Sequence, residues 1–391
     1  MSEKQYTYFI LTGEPSGAMH AARLINKLKK EKPNARFVGT GNSAMHSAGC
    51  DIVLDINKMA FMGVVAVLKN LKAIRQNFNI VKQALLSEQP DMLILVDYPS
   101  FNLKIAEFAK KNLPDTKIIY YIPPKIWAWK SWRVHKVGKL CNEIWCIFPF
   151  EVELYTRYGY NAKYVGNPTL EAIESKNQRV FQPRLAENEF RTLQPILAKK
   201  NTIVAEKNTI ALLPGSRISE VEHCLPRMLE AVRLFPQYQS VIVATRAIPE
   251  QVYKRLASDI PLLYDNHYEH ISNARAAIVN SGTATLETAV IGTPQVAVYH
   301  IACAWLLRPI WKLIFPLHCF TLVNILWIKS GNAQNPKAEG GEVIKELIGF
   351  YFTTDRLVNE LRELLENKSY RSEMQKRYDK IRYYLRNSQL S

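Results

Sequence analysis

Residues 92–121 read MLILVDYPSFNLKIAEFAKKNLPDTKIIYY, and this stretch decides the fold. Met92–Val96 is a continuous apolar run without polar alternation, as a strand buried on both faces requires. Asp97 ends the run. A helical pattern over Asn102–Lys111 follows, and Lys117–Tyr121 is a second apolar run. Apolar strands joined by helices form a parallel sheet covered on both sides.

The same alternation extends outward in both directions. Toward the N-terminus the candidate strands are Tyr6–Thr12 and Arg36–Gly39; toward the C-terminus they are Glu143–Ile147 and Ala162–Val165. Helical patterns cover Ala18–Lys30 and Leu68–Leu86. A polar stretch over Pro168–Asn208 reads as a linker with some helix. The alternation then restarts with strands at Thr209–Leu213, Ser240–Ala244, Ala276–Val279 and Gln295–Tyr299. The helices of this half fall at Val221–Leu234, Glu250–Ser258 and Thr283–Ile291. The pattern predicts two successive Rossmann-like doubly wound halves. Tyr351–Glu366 and Ser369–Arg386 read as charged terminal helices.

At 391 residues the chain exceeds one ordinary core and suits two domains. Its 48% hydrophobic and 22% charged residues exclude a disordered chain. The cysteines, Cys50, Cys141, Cys146, Cys224, Cys303 and Cys319, have no metal or redox spacing, so they read as structural thiols in a reducing compartment. No D-x-D motif or histidine cluster marks a metal site, and no cofactor is expected. The apolar run Met59–Leu68 is about half a bilayer span. The apolar segment Ile301–Ile328 is broken by Arg308, Pro309, Lys312, Pro316 and His318, so no spanning helix is expected. A net charge of +16 favours anionic partners. Nucleic-acid signatures are missing. Lys125, Trp127, Trp129, Lys130, Trp132, Arg133 and Lys136 interleave cations with aromatics, as contact with an anionic membrane surface requires. A buried helix would account for some of these aromatics.

In doubly wound domains ligands sit at the carboxyl ends of strands, so the loops after strands hold the candidate chemistry. Gly13-Glu14-Pro15-Ser16-Gly17 follows the first strand and opens a helix; a carboxylate at Glu14 suits hydroxyl or sugar contact rather than pyrophosphate. A plain tight turn is the competing reading. Asp97 stands where a general base for a sugar hydroxyl belongs, or where a helix cap would stand. Leu213-Pro214-Gly215-Ser216-Arg217 offers a hydroxyl at Ser216 and a guanidinium fork at Arg217 for phosphate, with pairing of Arg217 to Glu220 or Glu222 as the alternative. Asn280-Ser281-Gly282-Thr283-Ala284-Thr285-Leu286-Glu287 leads small residues into a helix N-terminus, an anion cradle. Glu287 lies one helical turn beyond Thr283, within reach of a ribose.

Together these loops resemble the lipid-A-disaccharide synthases over nearly the whole chain. The matching stretches are GEPSG at 13–17, VDYPSFNLKIAEF at 96–108, YYIPPKIWAWK at 120–130, FPFEVELY at 148–155, VGNPT at 165–169, LLPGSR at 212–217, NSGTATLE at 280–287 and LVN at 322–324. The resemblance implies a GT-B fold, with two Rossmann-like domains facing a cleft and a C-terminal helix returning to the N-terminal half. Residues 1–168 would be the acceptor and membrane domain, 169–208 a linker with insertion, 209–350 the UDP-sugar domain and 351–391 the C-terminal helices. It implies inverting, metal-independent transfer of 2,3-diacylglucosamine from UDP-2,3-diacylglucosamine to the 6-hydroxyl of 2,3-diacylglucosamine 1-phosphate.

On the same ground Asp97 would be the base and Glu14 would assist it. Ser216, Arg217, Ser281, Gly282 and Thr283 would hold the UDP phosphates, Glu287 the ribose, and Asn324 part of the nucleotide pocket. The expected place is the cytoplasmic face of a bacterial inner membrane, peripherally bound. The oligomeric state, a homodimer included, is left open. The chain departs from the family pattern at Ala18 and Arg275, where Asp is usual, and in the stretched segment IKSGNAQNPKAEGG, which leads to Lys345-Glu346-Leu347-Ile348-Gly349. A UDP-sugar epimerase, a GT-B transferase with another acceptor and a weakened or repurposed UDP-binding scaffold are the rival readings.

Overall fold

The computed structural model describes residues 5–59, 70–124, 133–176, 208–301, 319–332 and 341–387. The chain divides into two units, one ending at Pro168 and the other running from Thr169 to Asn387.

In the first unit the elements in order are β1 (Thr7–Leu11), α1 (Pro15–Glu31), β2 (Arg36–Gly41), α2 (Ser43–Ser47) and β3 (Asp51–Asp55). After these come α3 (Leu71–Glu88), β4 (Met92–Val96), α4 (Pro99–Asn112), β5 (Lys117–Tyr121), α5 (Arg133–Leu140), β6 (Glu143–Cys146), α6 (Pro149–Thr156) and β7 (Ala162–Tyr164). The seven strands form one sheet in the order β3-β2-β1-β4-β5-β6-β7, and every pairing is parallel. Phe9, Ile10, Leu11, Leu93, Ile94, Leu95 and Val96 are fully buried, because a central parallel strand is covered on both faces.

From the boundary, α7 (Pro168–Lys176) leads into the second unit. Then come β8 (Thr209–Leu213), α8 (Ile218–Val232), β9 (Gln239–Val243), α9 (Glu250–Leu256), β10 (Leu262–Leu263), α10 (His267–Asn273), β11 (Ala276–Asn280), α11 (Thr283–Ile291) and β12 (Gln295–Tyr299). The unit ends with α12 (Leu322–Lys329), β13 (Lys345–Ile348), α13 (Thr354–Glu366) and α14 (Lys368–Asn387). Its sheet runs β10-β9-β8-β11-β12-β13, again parallel throughout. Each unit thus repeats the same doubly wound order, in which the chain works outward to one side of its first strand and then to the other.

The strands expected from apolar runs are present with ends moved by a residue or two. Three others, β3, β10 and β13, lack such a run: β3 is bracketed by Asp51 and Asp55, β10 has two residues, and β13 opens on Lys345 and Glu346. All three are sheet edges, where less apolar surface needs cover. Through Asn387, α14 packs on α11, α12 and α13 of its own unit. There the Arg382 guanidinium donates to the carbonyls of Ala289 (3.1 Å) and Val290 (3.0 Å), a cation on the last turn of α11. Residues 388–391 lie outside the described part. Among the described residues no helix is long and apolar enough to cross a membrane.

Candidate active site

In the first unit the winding reverses between β1 and β4, which pair directly, Leu11 opposite Leu95. A crevice at the carboxyl ends of strands opens where the winding reverses. The loops that emerge at this point carry Glu14 and Asp97. Glu14 is the N-cap of α1; its backbone carbonyl accepts from the Ala18 N–H at 3.0 Å, and its side chain makes no cap hydrogen bond. The two loops pack closely: a Cβ on Gly13 would lie 2.3–2.6 Å from the Tyr98 ring, so only glycine fits there. Burial pushes the Tyr98 phenol above its ordinary pKa, and the Glu14 carboxylate adds to the shift, which places Glu14 within electrostatic reach of the Asp97 loop.

Asp97 and Tyr98 take left-handed backbone conformations, with φ of 48° and 46°, and Ile122 at the end of neighbouring β5 has φ of 59°. For non-glycine residues each costs about 1–3 kcal/mol, and such strain gathers at functional sites. Hydrogen bonds offset it. The Asp97 carbonyl accepts from Asn102 Nδ2 at 2.6 Å and from the Tyr120 hydroxyl at 2.8 Å, and the Asp97 N–H donates to Tyr121 O at 3.3 Å. Tyr98 Oη donates to Met59 O at 2.9 Å. Burial raises the Tyr120 phenol well above its usual pKa, with Asp97 next among the causes, so Tyr120 stays a hydrogen-bond donor.

Of the residues expected to meet membrane or acceptor, Lys125, Trp127, Trp129, Lys130 and Trp132 lie outside the described residues. Arg133 opens α5, and Lys136 in the same helix pairs with Glu107 at 2.7 Å. Ala18 is fully buried in the first turn of α1, within the core.

The second unit repeats the arrangement. Its winding reverses between β8 and β11, and the loops there are Gly215–Arg217 and Ser281–Thr283. Gly215 has φ of 129°, and a Cβ on it would lie 2.6 Å from Glu220 Cβ and Oε2 and 2.9 Å from Asn280 Nδ2. Glu220 Oε2 accepts from the N–H groups of Ser216 (2.9 Å) and Arg217 (3.3 Å), and Oε1 pairs with Arg217 Nη1 at 2.9 Å. The pairing of Arg217 with a local carboxylate is therefore present, yet the Arg217 side chain remains 55% exposed. Glu220 anchors one edge of the guanidinium and leaves the side chain open to solvent.

Gly282 caps α11 with φ of 173°, ordinary extended backbone, and no atom lies within 4 Å of where its Cβ would be. Gly282 and Thr283 are exposed, Ser281 and Glu287 half-buried. The Ser281 N–H donates to Val298 O at 2.7 Å, so of the three loop residues Ser281 is the one tied to the sheet. An open helix start with no side-chain cap is suited to an anion. Asn280 lies beneath Gly215, and its Oδ1 accepts from Cys224 Sγ at 3.4 Å. Nearby, His300 stacks on His223 at 4.5 Å, and burial lowers its pKa.

Asn324 has a different setting from the loops. It is 1% exposed, and its side chain is committed to 343–346. Oδ1 accepts from the N–H groups of Val343 (2.8 Å) and Ile344 (3.1 Å), while Nδ2 donates to Ile344 O (2.9 Å) and Glu346 Oε1 (2.8 Å). Burial pushes the Glu346 carboxyl up against the hydrogen bonds from Thr321, Phe320 N and Asn324 that favour its charge. Asn324 therefore staples the start of β13 to α12. Arg275 precedes β11, at the amino end of the strand and away from the loops, and its Nε donates to Leu365 O at 2.8 Å. Among the described residues no three His, Cys, Asp or Glu side chains converge as metal ligands do. Sequence reasoning missed Asn102 and Tyr120, and it offered Glu220 only as one of two partners for Arg217. Asn102 lay inside the quoted stretch, but nothing local distinguishes a buried helix Asn that binds strand carbonyls from one facing solvent.

A sequence profile described as lipid-A-disaccharide synthetase matches residues 8–391. Lipid-A-disaccharide synthase from Nitrosococcus oceani is 32% identical over 386 residues, covering 96% of this chain and 91% of that protein. The enzyme from Syntrophus aciditrophicus is 32% identical over 350 residues, 86% of each. Among solved structures, the UDP-GlcNAc 2-epimerase from Neisseria meningitidis bound to UDP-GlcNAc aligns at TM-score 0.59 and 12% identity, covering 94% of each chain. The glycotransferase of kitacinnamycin aligns at TM-score 0.59 and 12% identity, covering 99% of this chain and 96% of that one. At such identities the structures establish a shared fold, that of GT-B glycosyltransferases and the related epimerases. The profile and relatives decide between them: the chain belongs to the lipid-A-disaccharide synthase family of hexosyltransferases, the enzymes that form the disaccharide of lipid A.

Proposed function

We propose that this chain transfers 2,3-diacylglucosamine from UDP-2,3-diacylglucosamine to the 6-hydroxyl of 2,3-diacylglucosamine 1-phosphate with inversion and without a metal ion. The observation that carries the reading is the repeated placement of the candidate loops: Glu14 and Asp97 flank the winding reversal of one sheet, Arg217 and Ser281–Thr283 that of the other. The Asp97 carboxylate takes the proton of the acceptor 6-hydroxyl as its oxygen attacks the anomeric carbon. The bond from that carbon to the UDP oxygen breaks on the opposite face, giving a β-1,6 linkage, and UDP leaves with the bonding electrons.

Glu14 binds acceptor hydroxyls beside Asp97. Arg217, Ser216 and the start of α11 at Ser281, Gly282 and Thr283 balance the charge of the leaving diphosphate. Glu287 takes the ribose hydroxyls. Asn324 acts on the nucleotide pocket indirectly, by holding 343–346 in place. Lys125, Trp127, Trp129, Lys130, Trp132 and Arg133 meet acyl chains and headgroups at the inner face of the bacterial inner membrane.

The test is turnover of these two substrates in detergent with EDTA, beside Asp97→Ala. Disaccharide formed by the wild type and lost by at least about a hundredfold in the variant, the size of a general-base contribution, supports the reading. Wild-type turnover in Asp97→Ala refutes the base, and inactivity in EDTA refutes metal independence. A wild-type protein that binds UDP without making disaccharide is the outcome expected of a changed acceptor or a scaffold, with Ala18→Asp the first reversion to make.

A further inference from the structure

Asn102 and Tyr120 converge on one atom, the carbonyl oxygen of Asp97. Asn102 is fully buried in the first turn of α4, and its Nδ2 also lies 3.2 Å from Val96 O and 3.4 Å from Leu11 O. It thus ties together the carboxyl ends of β1 and β4, the two strands whose loops carry Glu14 and Asp97. Its Oδ1 finds no donor among the described residues. A buried acceptor left unbonded is destabilising, so packing alone would be better served by leucine, and the amide earns its place through the donors it turns on the strand ends. Tyr120, fully buried on β5 opposite Leu95, reaches the same carbonyl with its hydroxyl.

We propose that Asn102 and Tyr120 are positioning residues that hold the Asp97–Tyr98 peptide in its left-handed conformation and so aim the Asp97 carboxylate at the acceptor hydroxyl. The inference rests on the reading of Asp97 as the base. Consecutive left-handed non-glycine residues relax toward ordinary φ when their anchors are cut, and the rotation carries the carboxylate with it. Displacement of a reacting group by about 1 Å is enough to cost about a hundredfold in rate. With one of two anchors removed, a loss of about tenfold is expected, about 1.4 kcal/mol of barrier.

The deciding variant is Tyr120→Phe, which keeps the ring and removes only the hydroxyl; Asn102→Leu is the companion where it folds. Turnover in detergent, the KM for the UDP-sugar, UDP affinity and the urea midpoint are measured on each, with Asp97→Asn alongside. The expected result for Tyr120→Phe is kcat reduced about tenfold with KM for the UDP-sugar and UDP affinity within about twofold of wild type. A merely structural hydroxyl would shift the urea midpoint and leave kcat per folded enzyme unchanged, and that result overturns the proposal. If Asp97→Asn keeps wild-type turnover, the base assignment has failed. If Asp97→Asn is inactive while Tyr120→Phe turns over normally, the positioning has failed and the base stands.

Discussion

Replacing Gly215 with alanine tests whether the loop after β8 is built as described. At φ of 129° an L-residue is strained by about 1–3 kcal/mol. The added methyl would also stand 2.6 Å from Glu220 Oε2, the oxygen that accepts from the N–H groups of Ser216 and Arg217. Relief requires the carboxylate to move and both bonds to break, at about 1 kcal/mol each for partly exposed groups. Stability should therefore fall by about 3–5 kcal/mol, a large part of the about 5–15 kcal/mol that holds a domain. At about 2 kcal/mol per molar urea, the midpoint for the second unit falls by about 1.5–2.5 M. Once Glu220 lets go, Arg217 loses its anchor, and UDP affinity measured by calorimetry should drop about tenfold, or about 1.4 kcal/mol. A midpoint within about 0.3 M of wild type together with unchanged UDP binding would refute both the strain argument and the role of Glu220.

Gly282→Ala should behave in the opposite way: nothing lies near the new methyl, so stability in urea should hold to within about 0.5 kcal/mol. On the proposed reading of that helix start as the diphosphate site, UDP affinity should fall several-fold, because the methyl stands there. Asn324→Ala removes the partners of two buried N–H groups and of Glu346 and should destabilise the second unit by about 3 kcal/mol; a smaller shift than about 1 kcal/mol in chemical denaturation would contradict the staple. His20 supplies a pH dependence. Burial, with Arg23 adding, lowers its pKa from 6.5 to about 4, so the folded state resists protonation that the unfolded chain accepts. The neutral imidazole's contribution is complete above pH 6.5 and is lost as the pH falls toward 4, by up to about 3 kcal/mol. His20→Gln should flatten that slope between pH 6.5 and 4, and an identical slope in the variant would show that His20 is not its source.

Much of the fold was legible because burial leaves a direct mark on composition. Met92–Val96 is apolar throughout, Lys117–Tyr121, Thr209–Leu213 and Gln295–Tyr299 are apolar after their first residue, and all four are strands with those bounds. The helix Thr283–Ile291 was equally plain, opening after small residues and closing on Gly292. β3, β10 and β13 were not legible, since short or charged strands at a sheet's periphery expose too much backbone to need an apolar run. The candidate loops could be found because each follows a strand directly, but Asn324 could not be told from a ligand contact, since its four hydrogen bonds are made to residues about twenty positions away.

The amino-acid sequence by itself determined the fold class, the two-part organisation and the family, since each depends on local burial patterns and on motifs a few residues long. Tertiary structure alone decided which strands lie side by side, and hence that Glu14 comes within electrostatic reach of the Asp97 loop and that the loops after β8 and β11 emerge side by side. Strand order depends on where each crossover lands, and an apolar run records that a strand is buried without recording its neighbour. The same holds for the left-handed turn at Asp97: its strain is balanced by Asn102 and Tyr120, whose hydrogen bonds form only when β4, α4 and β5 are packed together.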